Sequence, residues 1–246
     1  SDASRFADPS SYQLKALNWL LVEDEWITLE TEERLVKQRY VLVLFSLLTR
    51  YDNWERQYNF MDPETSICDW GRSFNPISRI PALSCSGLER VRSISLVNNS
   101  LDGPIPTEIG VLDSLDTLHF GSNSLSGPLP SEVGELANLQ AFQVGHNKLT
   151  GTVPTEFGNL QILREVHFAG NWELHGPIPS QMNTIRTLLD FVIEFTQLTG
   201  VQVMCETDIP FWSLRSDCKS EALTCTCCTR CCRNGNDCED TRNPNP

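Results

Sequence analysis

Three groups of side chains in this 246-residue sequence could do specific chemistry. The first is thiol. Cys68 and Cys85 stand early; Cys205, Cys218, Cys225, Cys227, Cys228, Cys231, Cys232 and Cys238 stand late; the stretch between Cys85 and Cys205 has none. An even number in two clusters predicts two local stapled regions flanking a body that holds without them. Disulfides persist in oxidising compartments, so the expected location is secreted or cell-surface. Eight late cysteines allow on the order of a hundred pairings, so their connectivity stays open. A zinc or cluster site built on the C-x-C-C-x-x-C-C run is the alternative. The even count and the oxidising context favour disulfides.

The second group is imidazole: His119, His146 and His167. The third is aromatic: Trp172 and Phe195. None of these falls in a catalytic constellation. The sequence has no G-x-S-x-G elbow, no phosphate loop, no H-E-x-x-H and no dinucleotide fingerprint, so neither an enzyme nor a cofactor is expected.

What must position these side chains is an internal repeat. Copies begin at Leu88, Leu112, Leu136, Leu160 and Ile185, at offsets of 24, 24, 24 and 25 residues, the extra one falling near Trp172 and Glu173. Each follows L-x-x-L-x-x-L-x-L-x-x-N-x-L-x-G, and four continue to a proline. Alternating apolar residues such as Leu118 and Phe120 point inward from a short strand. Asn99, Asn123, Asn147 and Asn171 end the strands, where an amide can serve the donors and acceptors of adjacent turns. Gly103, Gly127, Gly151 and Gly176 permit a tight reversal. Pro106, Pro130, Pro154 and Pro179 stop strand pairing.

These motifs resemble the plant-type leucine-rich repeat, with its L-x-G-x-I-P ending, over 88–200. The resemblance implies a curved α/β solenoid: a parallel sheet lines the concave side and short helical turns form the convex side. The fifth copy has Thr196 for the ladder Asn and Val201-Gln202-Val203 where a proline would stand, as expected of a terminal, capping repeat. Before the repeats, Ser10 or Ser11 is expected to N-cap a helix carrying Leu14, Leu17, Leu20 and Leu21. Thr31 to Leu48 reads as a second helix. Trp54, then Cys68-Asp69-Trp70-Gly71 and Cys85, resembles the N-terminal cap of plant-type repeat proteins. A Cys68–Cys85 bridge would close a loop of roughly 18 residues, worth about 3 kcal/mol in the chain-entropy model. The division expected is a helical cap over 1–87, a solenoid over 88–203, a cysteine-rich cap over 204–238 and a tail over 239–246. Together with Asp8-Pro9-Ser10 and Gln38-Arg39-Tyr40, the cysteine tail is similar to leucine-rich-repeat proteins of diatoms and related algae.

Strand alternation turns some residues of each rung outward. They are Arg92, Ser93, Ser95, Val97 and Asn98; then Asp116, Thr117, His119, Gly121 and Ser122; then Gln140, Ala141, Gln143, Gly145 and His146. The fourth rung offers Arg164, Glu165, His167, Ala169 and Gly170, and the fifth Leu189, Asp190, Val192, Glu194 and Phe195. His119 and His167 share a column about 9–10 Å apart, too far for one metal ion to bind both, so a surface whose affinity changes with pH fits better than a metal site. Trp172 and Phe195 near one lateral edge form either a hot spot for a peptide, a stacking platform for a sugar, or a shield over the extra residue. Asn98 opens the only N-x-S/T sequon and is the expected glycan site.

A net charge of −13 disfavours nucleic acid and anionic lipid, and the longest apolar stretch is about half a membrane span. No charged-then-apolar leader precedes Ser1, so any signal is expected to have been removed or to lie upstream. Much of the acidity sits at Glu23, Asp24, Glu25, Glu30, Glu32 and Glu33, expected to form a solvated surface, with calcium or a cationic partner as the alternative. The reading that follows is non-catalytic recognition of a protein or peptide on the concave face. A structural subunit of a cell-wall, adhesive or filament assembly is the alternative, and polysaccharide binding a further one.

Overall fold

The computed structural model describes residues 8–28, 30–72, 77, 80–206, 213–216, 230–233 and 237–240. The cysteine side chains expected in the C-terminal cap, Cys205 through Cys238, lie outside the described residues.

Two helices make the cap: α1 (Tyr12–Val22) and α2 (Glu33–Leu48). Ser11 caps α1, its hydroxyl accepting the Leu14 N–H at 3.2 Å. Ala16, Trp19 and Leu20 turn inward, whereas Leu21, expected on the apolar side, is 72% exposed, because Trp19 occupies the inward stripe in its place. The second helix starts two residues later than Thr31, behind Glu32, which makes no side-chain cap.

The cap is organised around a buried charge. Arg39 pairs with Asp24, and both side chains are wholly buried. Asp24 therefore departs from the solvated acidic surface expected of its run. Three indole rings surround the guanidinium, Trp19, Trp26 and Trp70, with ring centres 5.5, 5.3 and 4.6 Å away. Its remaining donors reach the carbonyls of Thr65 at 2.7 Å and Asp62 at 2.9 Å. Burial pulls the Arg39 pKa down, and Asp24 opposes that pull. The Cys68–Cys85 disulfide, with Cα atoms 5.6 Å apart, ties this segment to the first sheet strand, Leu83–Cys85.

The cap meets the solenoid at three points. Gln38 accepts the Val91 N–H at 2.8 Å. Phe45 stacks on Phe120 at 4.9 Å. Gly103 lies so close to the end of α2 that a Cβ there would sit 2.1 Å from the Leu48 carbonyl oxygen.

The repeats form a leucine-rich-repeat solenoid. Its concave rungs are Val91–Ser95, Thr117–His119, Ala141–Gln143, Glu165–His167 and Asp190–Val192, paired parallel and in register. The same sheet then goes on past Val203. Ser213–Ser216 pairs parallel with Asp190–Val192 as a sixth rung, followed by Arg230–Arg233 and Asp237–Asp240. Wholly buried Leu214 takes the place that Leu118, Phe142, Val166 and Phe191 hold in earlier rungs. A second, lateral sheet of five short parallel strands follows the ladder positions, and a 3-10 turn after each proline, such as Ser131–Glu135, makes the convex side.

The asparagines form the expected ladder. Asn147 accepts the Leu125 N–H at 2.9 Å and donates to Phe120 at 3.0 Å and Val144 at 2.9 Å. Asn123 and Asn171 repeat the pattern one coil away on either side. Asn99 carries it into the cap, bonding Arg56 N–H and C=O at 2.8 and 3.0 Å. Thr196 binds within its own coil, to Ile193 and Leu198.

Substituting Asn147→Ala strands a buried donor and two carbonyls, so urea unfolding should show a loss of about 3 kcal/mol, against about 1 kcal/mol for Thr196→Ala. Equal losses would mean that the bonds between coils add nothing beyond local ones.

Candidate ligand-binding face

Strand register sorts the outward residues into columns. The first is Ser93, Thr117, Ala141, Glu165, Asp190 and Ser213. The second is Ser95, His119, Gln143, His167, Val192 and Arg215. Beside it, at the next outward position of each repeat, run Val97, Gly121, Gly145, Ala169 and Glu194. Beyond these lie Asn98, Ser122, His146, Gly170 and Phe195, every one with φ in the left-handed region.

A trough of about 220 Å³ opens along the third of these columns because Gly121, Gly145 and Ala169 are small. His119, Gln143, His167 and Arg215 bound one side and His146 the other, with Val97 at one end and Glu194 at the other. Several residues expected to stand free on this face are covered instead: Glu194 is 8% exposed, and Ser95, Val97, Ala169 and Val192 are also buried. The added sixth rung lies directly against the fifth and covers Val192 and Glu194, where an isolated strand would leave them open.

The charged residues are mostly paired with one another. His167 Nε2 lies 2.8 Å from Asp190 Oδ2, and Gln143 donates to Glu165 at 2.7 Å. Exposed Arg92 pairs with Asp116 at the opposite edge, where Gln140 lines a separate shallow depression with them. Arg164 is exposed and stands apart from the trough. Burial pushes the Asp190 carboxyl up, but the His167 bond and charge, with Ser213 and Arg215, outweigh it and hold Asp190 below the usual carboxylate value. Burial, and secondarily the charge of His167, push His119 down to about 4.

Trp172 does not fold over the extra residue as a shield. It is 65% exposed, and its ring centre sits 5.6 Å from that of Phe195 at a tilt of 43°. Gln197 donates to its carbonyl at 2.7 Å, fixing the backbone beneath it. Gly170 makes room for His146: a Cβ at Gly170, where φ is +75°, would lie 2.6 Å from His146 Nδ1. His146 thus stands between the trough and Gly170 of the next coil. At the start of the face Asn98 is exposed while Asn99 is buried, as the sequon reading expects.

Sequence reasoning missed Arg215. The spacing from Phe191 to Leu214 is one residue short of the repeat, and a search tolerant of that slip would have found the rung. Among the described residues, no group of three or more His, Cys, Asp and Glu side chains is placed to hold a metal ion. No described helix is long and apolar enough to cross a membrane.

His119 makes acid stability a direct readout. Its folded pKa lies below the unfolded value of about 6.5, so the unfolded chain binds the extra proton and stability falls as pH drops from about 6.5 toward 4. His119→Gln should flatten this limb by about 2 kcal/mol in denaturant unfolding at pH 4.5 against pH 7. A slope unchanged by the substitution would place the burden elsewhere.

The leucine-rich-repeat family model matches residues 138–160. No curated protein matches the chain. Among solved structures, the chain is 34% identical to the plant peptide hormone receptor RGFR1 in complex with RGF2, over 52% of this chain and 22% of that one, with a TM-score of 0.45. It is 27% identical to the BIR3–SERK2 complex from Arabidopsis thaliana, over 64% and 83%, with a TM-score of 0.48. It is 19% identical to the ectodomain of the Arabidopsis receptor kinase HAESA in complex with an N-terminally extended IDA peptide hormone, over 74% and 34%, with a TM-score of 0.50. The chain spans about a fifth of the length of RGFR1 and of similar receptor ectodomains. Repeat match, sheet register and ladder agree: the fold is a leucine-rich-repeat solenoid, similar to that of plant receptor ectodomains.

Proposed function

We propose that the chain is an extracellular, non-catalytic recognition module that takes a protein or peptide along its concave face. The observation that carries this is exposed Trp172 set against half-buried Phe195 at the edge of the concave face. An exposed indole held against a second ring offers a large apolar contact with little entropy left to lose. Six rungs at about 4.8 Å make a strip about 25 Å long, enough for about 800 Å² per partner. Receptor ectodomains of similar fold that bind peptide hormones or other receptor proteins fit the same reading.

The same proposal includes an oxidising compartment, a glycan on Asn98 and kinship with the cysteine-tailed algal proteins. Asn98 stands at the first rung, so a glycan there would direct a ligand toward rungs two to six. The remaining concave residues of the reading, Arg92, Asp116, Gln140 and Arg164, would form the rim.

The test is capture of secreted components on the immobilised chain, followed by titration with the recovered component. Trp172→Ala should weaken binding at least tenfold while leaving the melting temperature unchanged. Binding indifferent to Trp172 overturns the reading. Competition by soluble oligosaccharides would favour polysaccharide stacking instead, and a native mass several-fold above 27.8 kDa would favour the assembly subunit.

A further inference from the structure

The cations of the solenoid are not spread evenly. Residues 88–203 hold five Lys and Arg side chains, and four of them, Arg90, Arg92, Arg164 and Arg186, stand on the edge where the chain enters the concave strands. The fifth, Lys148, lies on the lateral sheet. Bonds between coils align this edge: the Asp116 N–H donates to the Arg92 carbonyl at 2.7 Å, and Gln140 to Asp116, Arg164 to Gln140 and Leu189 to Arg164 each at 2.8 Å. Thr187 donates to the Gln161 and Leu163 carbonyls, so its neighbour Arg186 sits against the coil that carries Arg164. The acids here already have partners. Asp116 has Arg92, Asp113 has Arg34, and Glu89 accepts from Ser66. Arg90, Arg164 and Arg186 have no ion-pair partner among the described residues. Arg164 and Arg186 are exposed, and Arg90 lines the shallow depression of about 300 Å³ at the first three coils.

We propose that this edge docks an extended acidic segment of a partner protein, with one carboxylate at Arg90 in the depression and a second at Arg164 and Arg186. The surface lies apart from Trp172 and goes beyond the concave-face reading. Arg90 belongs to the first coil and Arg164 to the fourth, three steps of about 4.8 Å away, or about 14 Å. An extended chain covers that distance in about four residues, so the two acids stand about four positions apart.

The chemistry of the edge selects this partner over other polyanions. Every cation on it is arginine, whose planar fork presents paired N–H donors to a carboxylate. Leu88 and Ile162, 71% and 39% exposed in the same coils as Arg90 and Arg164, give the intervening aliphatic side chains of a peptide a place to pack. No aromatic residue occurs in 88–92, 112–116, 136–140, 160–164 or 185–189, so a sugar finds no ring to stack on. Two copies of a chain carrying a net charge of −13 repel one another, which disfavours self-association here.

The test is a peptide array probed with the whole chain. Each peptide carries two glutamates, adjacent or up to about seven positions apart in a serine and valine background, and matched glutamine peptides serve as controls. Binding should peak at a separation of about four and be absent from the glutamine series. Arg90→Gln and Arg164→Gln should each weaken it about fivefold. Arg186→Gln, at an exposed side chain with no ion pair, should give the same loss without disturbing the fold. Lys148→Gln makes the same change of charge on the lateral sheet and should bind as the parent does. Binding that ignores the spacing, or that falls as far in Lys148→Gln, marks general charge attraction and overturns the proposal. Tighter binding of soluble polygalacturonate, lost in the same arginine variants, would assign the edge to an anionic polysaccharide and overturn it too. So would a native mass that falls in Arg164→Gln, which would make the edge a contact between copies. Capture that depends on Trp172 is read separately, so a failed array leaves the concave-face reading standing.

Discussion

Every coil of this solenoid turns away from its strand at a point where backbone N–H and C=O groups face the interior. Buried, those groups need partners, and no strand ladder reaches them. In the first four coils a single asparagine meets the need because one amide both accepts and donates, and because its reach spans two coils. Asn123, Asn147 and Asn171 each accept from the preceding coil, and each donates both to that coil and to their own. The consequence is register. Core residues such as Phe142, Phe168 and Phe191 meet edge to face at 6.1 and 6.3 Å because the ladder fixes how one coil sits on the next. The columns of the concave face inherit that register, so the position of each histidine is ultimately set on the opposite side of the strand.

A repeat of this kind leaves its first coil uncovered, and the cap solves that with a polar device inside an apolar one. Arg39 and Asp24 cost desolvation when buried, and a well-packed apolar pair could be at least as stable. What the guanidinium adds is geometry. It binds two carbonyls of the 62–65 segment, faces three indole rings and meets Asp24, so helix, loop and Trp70 are held in one arrangement. That segment leads into Cys68, and the disulfide passes the constraint to the sheet edge. Asn99, bonded to Arg56, joins the same cap to the ladder. Cap and ladder are therefore one hydrogen-bonded system, in line with an interface that also buries Phe45 against Phe120.

The concave face contrasts with the rest of the molecule. The net charge is −13, yet three imidazoles and a guanidinium line the trough along rungs two to six. Small side chains open that space, and the left-handed column beside it throws His146 and Phe195 outward at the edge. The proposed binding would draw on two features of this face, an apolar ledge and a polar hollow.

Periodicity carried most of the fold in the sequence. The offsets of 24 and 25 residues, the ladder asparagines and the turn glycines determined the solenoid, its five regular rungs and the side of each strand that faces out, since a period-two strand within a fixed repeat leaves no other choice. The Cys68–Cys85 pairing was legible through the motif around Trp70. What only the tertiary structure decided were matters of packing between segments far apart in the chain. Asp24 looks like one acid among six and is buried because Arg39, fifteen residues on, needs a counter-charge inside the cap. Glu194 and Val192 look exposed on a strand and are covered because a sixth rung lies beside them. Trp172 could have folded inward or stood out, and Phe195 from the next coil decided it. Arg215 joined the site through a rung that slips the repeat by one residue. In each case local pattern gives the direction of a side chain, while its exposure and charge state depend on which neighbour the fold brings to it.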